Sequence, residues 1–169
     1  MTSKIAADLR ERLVAARAAL LALRPDVEKG EPWPLSDEFG TSPEASWGPR
    51  ETLAHTQEML PFWLGEIERV LEGGAARGGV PFGRVADDPI RLAIIERDRT
   101  LPLRELFARI DVGVDRLAGR LDELDDASVN TLGAHPRLGQ MSVGQILERF
   151  VAGHLEEHAA QLRESLTRR

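Results

Sequence analysis

His154 and His158 stand four residues apart in a stretch of helical periodicity, so their imidazoles lie one above the other, about 40° apart around the axis. That spacing lets both rings reach one metal ion. A third histidine, His55, falls on the edge of the apolar face of another helical stretch, close in angle to Thr52, Met59 and Phe62. Three neutral imidazoles on a divalent ion leave open positions, an arrangement of the catalytic type, because the ion lowers the pKa of a bound water. The spacing alone also fits surface or core-capping histidines, and both readings stay open on it. His154 to His158 matches H-x-x-E-H as well, which would make Glu157 a catalytic base. That protease motif requires a third ligand from a larger downstream fold, and the plainer role for Glu157 is a solvated helix residue beside the site. Gln161 continues the histidine face and is placed to hydrogen-bond a ligand or a neighbouring helix. His135 precedes Pro136 in a loop, where a structural role competes with a site role, and Met59 is a pocket candidate one turn beyond His55.

The helix carrying the pair begins at Ser142, with Gln145 three residues on in capping-box spacing. Its apolar positions are Val143, Ile146, Leu147, Phe150, Val151 and Leu155, and the wheel puts His154, His158 and Gln161 in line with Leu147, Phe150 and Val151. The helix of His55 opens at Gly48-Pro49, with proline at the favoured first position, and ends at Gly73-Gly74; Pro61 inside it predicts a kink. Two further helices are read over about 4–23, ended by Arg24-Pro25, and 100–124, where Leu103, Phe107, Ile110, Val114, Leu117, Leu121 and Leu124 repeat in 4-3 spacing. Asp88-Pro89 caps a short segment through Arg97. Residues 25–46 form a long crossover anchored by Trp33, Leu35 and Phe39, and 73–87 and 125–141 are loops. With no strand run, the expectation is an all-α fold: a four-helix bundle with long crossover loops, one domain over residues 1–169.

The chain has no cysteine, which excludes disulfides, thiolate nucleophiles and cysteine zinc sites; any thiol in the chemistry must be a cosubstrate. Net charge is −6, from 22 basic and 28 acidic residues, which argues against nucleic acid as a partner. No apolar run approaches the roughly 20 residues of a membrane span, and the N-terminus lacks the apolar core of a signal peptide, so a cytoplasmic protein is expected. Trp47 and Trp63 read as core anchors. Arg50, Arg97 and Arg99 are the arginines that could make a pocket basic.

Two blocks of sequence resemble a known family. Trp47-Gly48-Pro49-Arg50-Glu51-Thr52-Leu53-Ala54-His55 is similar to its pattern of a Trp, a capping residue, Pro and then E-x-L-x-H. His135-Pro136, Gly139, Ser142, Gln145, His154, His158 and Ala160-Gln161-Leu162 are similar to its C-terminal signature. The family is the DinB/YfiT-like (DNA-damage-inducible DinB-like) superfamily, and the likeness spans about residues 5–166. Gly48 departs from the Ser or Thr of many relatives, which weakens a cap and not a ligand. The resemblance implies a four-helix bundle in which His55, His154 and His158 hold nickel or zinc. It further implies a homodimer acting on a small molecule, with a low-molecular-weight thiol as cosubstrate in S-transferase or isomerase members and water in hydrolase members. A non-catalytic, stress-related bundle that binds a metal or small ligand is the alternative; a fourth ligand such as Glu58 would favour it.

Overall fold

The structure, a computed structural model, describes residues 1–37, 43–74 and 76–167. Helix α1, Lys4–Ala22, buries Ala6, Leu9, Leu13, Ala16 and Leu20, close to the expected stripe, with Ile5 turned outward at 50% exposure. Pro25 does not drive the chain into an extended loop. Leu23 is helical, and a short helix α2, Arg24–Lys29, begins with Pro25 in its first turn, where the missing N–H costs nothing. In the crossover that follows, Trp33 is buried against Gly30 and donates its indole N–H to the Val27 carbonyl at 2.8 Å. Leu35 is 41% exposed rather than buried, and Phe39 lies outside the described residues.

Helix α3 runs from Pro49 to Gly73 and continues through Pro61. Every residue from 51 to 60 is buried, so polar side chains there must find partners inside the protein. Glu51, fully buried, accepts from the backbone N–H of Gly48 at 3.2 Å and of Ser36 at 2.9 Å, and pairs with Arg99 at 3.0 Å. The carboxylate thereby supplies one half of a capping box, while Gly48 has no side chain to supply the other. Helix α4, Pro89–Asp98, packs on α3 and is capped by Asp88, whose carboxylate accepts the Arg91 N–H at 2.9 Å. Helix α5, Leu103–Glu123, buries the expected face.

The segment expected to be loop over 125–141 is ordered differently. A short helix α6, Asp126–Asn130, precedes strand β2, Leu132–His135, and strand β3, Gly139–Ser142; β1, Val80–Pro81, pairs with β2 in parallel and β3 pairs with it antiparallel. Gly133 sits at the centre, where a Cβ would stand 2.5 Å from the Phe82 ring. These strands are two to four residues long, too short for alternation to show in sequence.

The last helix starts with the expected capping box: Ser142 Oγ accepts the Gln145 N–H at 3.2 Å, and Gln145 Oε1 accepts the Ser142 N–H at 2.9 Å. It is not uniform. Helix α7, Val143–Leu147, passes into a π turn, Glu148–Ala152, and then into α8, Gly153–Thr167. Helix α1 packs on α5 and α8, and α3 also packs on α5 and α8, around one apolar core. The fold is all-α apart from the small sheet, and no helix among the described residues is long and apolar enough to cross a membrane.

Candidate metal centre

The packing of α3 against α8 brings His55 to His154 and His158. His154 Nε2 lies 3.1 Å from His55 Nε2 and 3.0 Å from His158 Nε2, and the rings of His55 and His158 are 4.8 Å apart edge to face. His55 and His158 are buried, while about a quarter of the His154 side chain is exposed.

The outer nitrogens fix which tautomers are present. Gln161 donates its amide N–H to the Glu44 carbonyl at 3.2 Å, which leaves Oε1 to accept from His158 Nδ1 at 2.9 Å. His154 Nδ1 faces the Glu157 carboxylate at 3.3 Å. His55 Nε2 is approached by an N–H of Arg91 at 3.4 Å, and its Nδ1 stands 3.6 Å from Glu58 Oε2 with no hydrogen-bond partner among the described residues. The acceptors at Nδ1 of His158 and His154 favour the proton there and the Nε2 lone pair inward, and the Arg91 N–H favours the same tautomer at His55. Burial, above all, holds His154 and His158 at about 4 and lowers His55 as well, so at neutral pH the rings are neutral, and with their protons on Nδ1 the inner nitrogens face one another as lone pairs. A cation between them resolves that conflict. Nitrogen ligands bound to zinc at 2.0–2.1 Å stand roughly 3.3 Å apart, and the two short Nε2 separations are near that value, so the residues fit a divalent ion. Among the described residues no carboxylate joins the three imidazoles. Glu58, the candidate fourth ligand, lies on the outer side of the His55 ring and pairs with Arg84 at 2.6 Å.

The centre opens on a cavity of about 660 Å³ whose lining includes Glu44, Arg84, Arg91, Arg149, Trp63 and Phe150. Trp63 and Phe150 stack at 4.3 Å and form an aromatic wall. Arg91 is 4% exposed, donates to the Ala86 carbonyl, pairs with Glu44 and lies 5.3 Å over the Trp47 ring, which itself packs on His55.

Gln161 and Glu157 thus sit directly behind the imidazoles. Met59 is buried in the core and does not line the cavity. His135 ends strand β2 rather than lying in a loop; its ring stacks on Phe150 at 5.5 Å, and its Nδ1 accepts from the Arg137 and Leu138 N–H groups. It takes no part in the three-imidazole group. The arginines that the sequence offered for a basic pocket are elsewhere: Arg50 holds the Arg99 and Leu101 carbonyls and pairs with Glu31, Arg99 pairs with Glu51, and Arg97 with Asp98. Their places at the cavity are taken by Arg84, Arg91 and Arg149. No local signal marks these three, because α3, α4, the segment after β1 and the π turn meet only in the folded chain. The wheel also needs correction. It set the histidines in line with Leu147, but the π turn between them shifts the phase by about one residue, or ~100°, and His154 faces the cavity.

No curated protein and no solved structure matches the chain significantly. The sequence pattern of the DinB superfamily matches residues 2–162, nearly the whole chain and all three histidines, and the chain belongs to that superfamily.

Proposed function

We propose that the protein is a metal-dependent enzyme in which His55, His154 and His158 hold one divalent ion, nickel or zinc, and the adjoining cavity receives a small-molecule substrate. The carrying observation is the convergence of three imidazole nitrogens within 4.8 Å of one another, with His158 and His154 each held from behind by a polar side chain. When bound, such an ion makes water or a thiol more acidic and so a nucleophile at neutral pH.

The chain's own residues supply the rest. Gln161 and Glu157 hold two imidazoles in the ligating tautomer. Arg91 and Arg84 carry positive charge at the cavity wall, each balanced by a carboxylate, whereas Arg149 is exposed there with no carboxylate partner among the described residues. That charge suits a substrate or cosubstrate bearing a carboxylate. Trp63 and Phe150 exclude water along one side. With no cysteine in the chain, a thiol reaction uses a low-molecular-weight thiol as cosubstrate, giving S-transfer or isomerisation; water in its place gives hydrolysis. Family likeness supports a homodimer as the working unit, and a cytoplasmic setting without nucleic acid or membrane partners belongs to the same proposal. The alternative, a non-catalytic bundle with a closed metal site, is disfavoured by the position of Glu58 outside the group.

Elemental analysis of untagged protein, beside the His55/His154/His158 triple alanine variant, tests the centre. About one ion per chain in the wild type, lost in the variant, is the expected result. No metal in either after incubation with zinc and nickel refutes it. Thiol-transfer and hydrolysis screens with loaded protein then separate the two chemistries.

A further inference from the structure

The π turn at Glu148–Ala152 immediately precedes both histidines of α8, and it has a visible clasp. Arg12, on α1, donates from Nε and Nη2 to Glu156 at 2.8 and 2.7 Å, and from Nη1 to both Glu148 oxygens at 2.7 and 2.6 Å. Glu148 and Glu156 are eight residues apart. In an uninterrupted α-helix they would point about 80° apart, whereas one residue absorbed by a π turn brings them within about 20°. One guanidinium can grip both only with the turn in place. Gly153 closes the turn: its N–H donates to the Glu148 carbonyl five residues back, and a Cβ there would stand 2.8 Å from that oxygen.

The same residue of slack sets the direction of everything after it. It returns Leu155, Ala159 and Leu162 to the core that Val143, Ile146 and Leu147 began, and leaves His154 on the cavity wall. Without it, α8 would be rotated by about 100° relative to α7, and His154 and His158 could not both keep their present separations from His55.

We infer that Arg12, on a helix that contributes no ligand, is a positioning residue of the metal centre: its fork across Glu148 and Glu156 holds the π turn that aims His154 and His158 at His55. The inference rests on the metal reading above. Arg10, also on α1, pairs with Asp122 of α5 and serves as the control, since its ion pair does not touch the turn.

The test is a cobalt(II) titration followed by absorption on wild type, Arg12→Met, Arg12→Lys and Arg10→Met, with circular dichroism on each. Arg12→Met is expected to weaken cobalt binding about tenfold or more, the range for residues behind a ligand, and to alter the ligand-field bands with helicity intact. Arg12→Lys should recover part of the affinity, and Arg10→Met should match wild type. Cobalt affinity and bands unchanged in Arg12→Met overturn the inference, as does an equal loss in Arg10→Met. If Arg12→Met does not fold, Glu156→Gln, which opens half the clasp, is read by the same criteria. If wild type binds neither cobalt nor zinc nor nickel, the metal reading fails, and a crystal structure of metal-free Arg12→Met decides the clasp. A retained π turn with His154 still about 3 Å from His55 overturns it; a lost turn or a swung ring supports it.

Discussion

Replacing His55 by leucine should stabilise the metal-free protein and remove its response to metal. His55 is 2% exposed and poorly satisfied. Its Nδ1 has no hydrogen-bond partner among the described residues, and its Nε2 faces His154 Nε2 at 3.1 Å with only a long contact to Arg91. An unsatisfied buried polar group costs about 1–3 kcal/mol. Leucine keeps apolar bulk against Trp47 and has no polar atom to satisfy. In chelator, His55→Leu is therefore expected to be about 1–3 kcal/mol more stable than wild type, at about 2–4 °C in Tm per kcal/mol for a chain of this size. With free zinc at 100 times Kd, wild type gains about 2.7 kcal/mol and the variant gains nothing, so the order closes or reverses. Denaturant melts with and without metal measure both halves. A variant less stable than wild type in chelator would mean that His55 is a well-satisfied core residue. A wild type indifferent to zinc and nickel would refute the ligand assignment.

Two further outcomes follow from the same structure. The metal-free protein should lose stability as pH falls from about 6.5 toward 4, because His154 and His158 titrate at about 4 when folded and near 6.5 when unfolded; the unfolded chain binds more protons in that window. Melts across pH should show the loss, and a smaller loss in His154→Ala/His158→Ala, where His55 and His135 still contribute, would assign the difference to these rings. Leu117→Ala, a truncation at a residue 1% exposed, should cost about 2–5 kcal/mol in a denaturant melt; a change near zero would mean that the α5 face is misplaced.

The elements that periodicity could carry were legible in the sequence. Leu103 to Leu121 mark α5 because a long helix repeats its buried positions several times, and Ser142 with Gln145 marks a helix start through local hydrogen bonds. The pair His154 and His158 was legible for the same local reason. His55 was placed with them by the family pattern, since only packing of α3 on α8 brings it close. The β2–β3 hairpin was not legible, because four-residue strands leave no alternation to read. The π turn was hidden because a one-residue phase shift leaves no local mark, and Arg12, which bonds Glu148 and Glu156 across it, is far away in sequence. Arg91 and Arg149 were missed at the cavity for the opposite reason to the histidines: an arginine on a helix surface looks alike whether it faces water or a site.

The distance along the chain between His55 and His154 is 99 residues. An ion held by both, and by His158, ties that span into a loop. A covalent link closing about 100 residues removes chain entropy from the unfolded state worth about 4.7 kcal/mol in the loop-closure account. With an ion bound, a protein without a single cysteine would have the topological counterpart of a long-range disulfide, one that a chelator opens and a reductant does not.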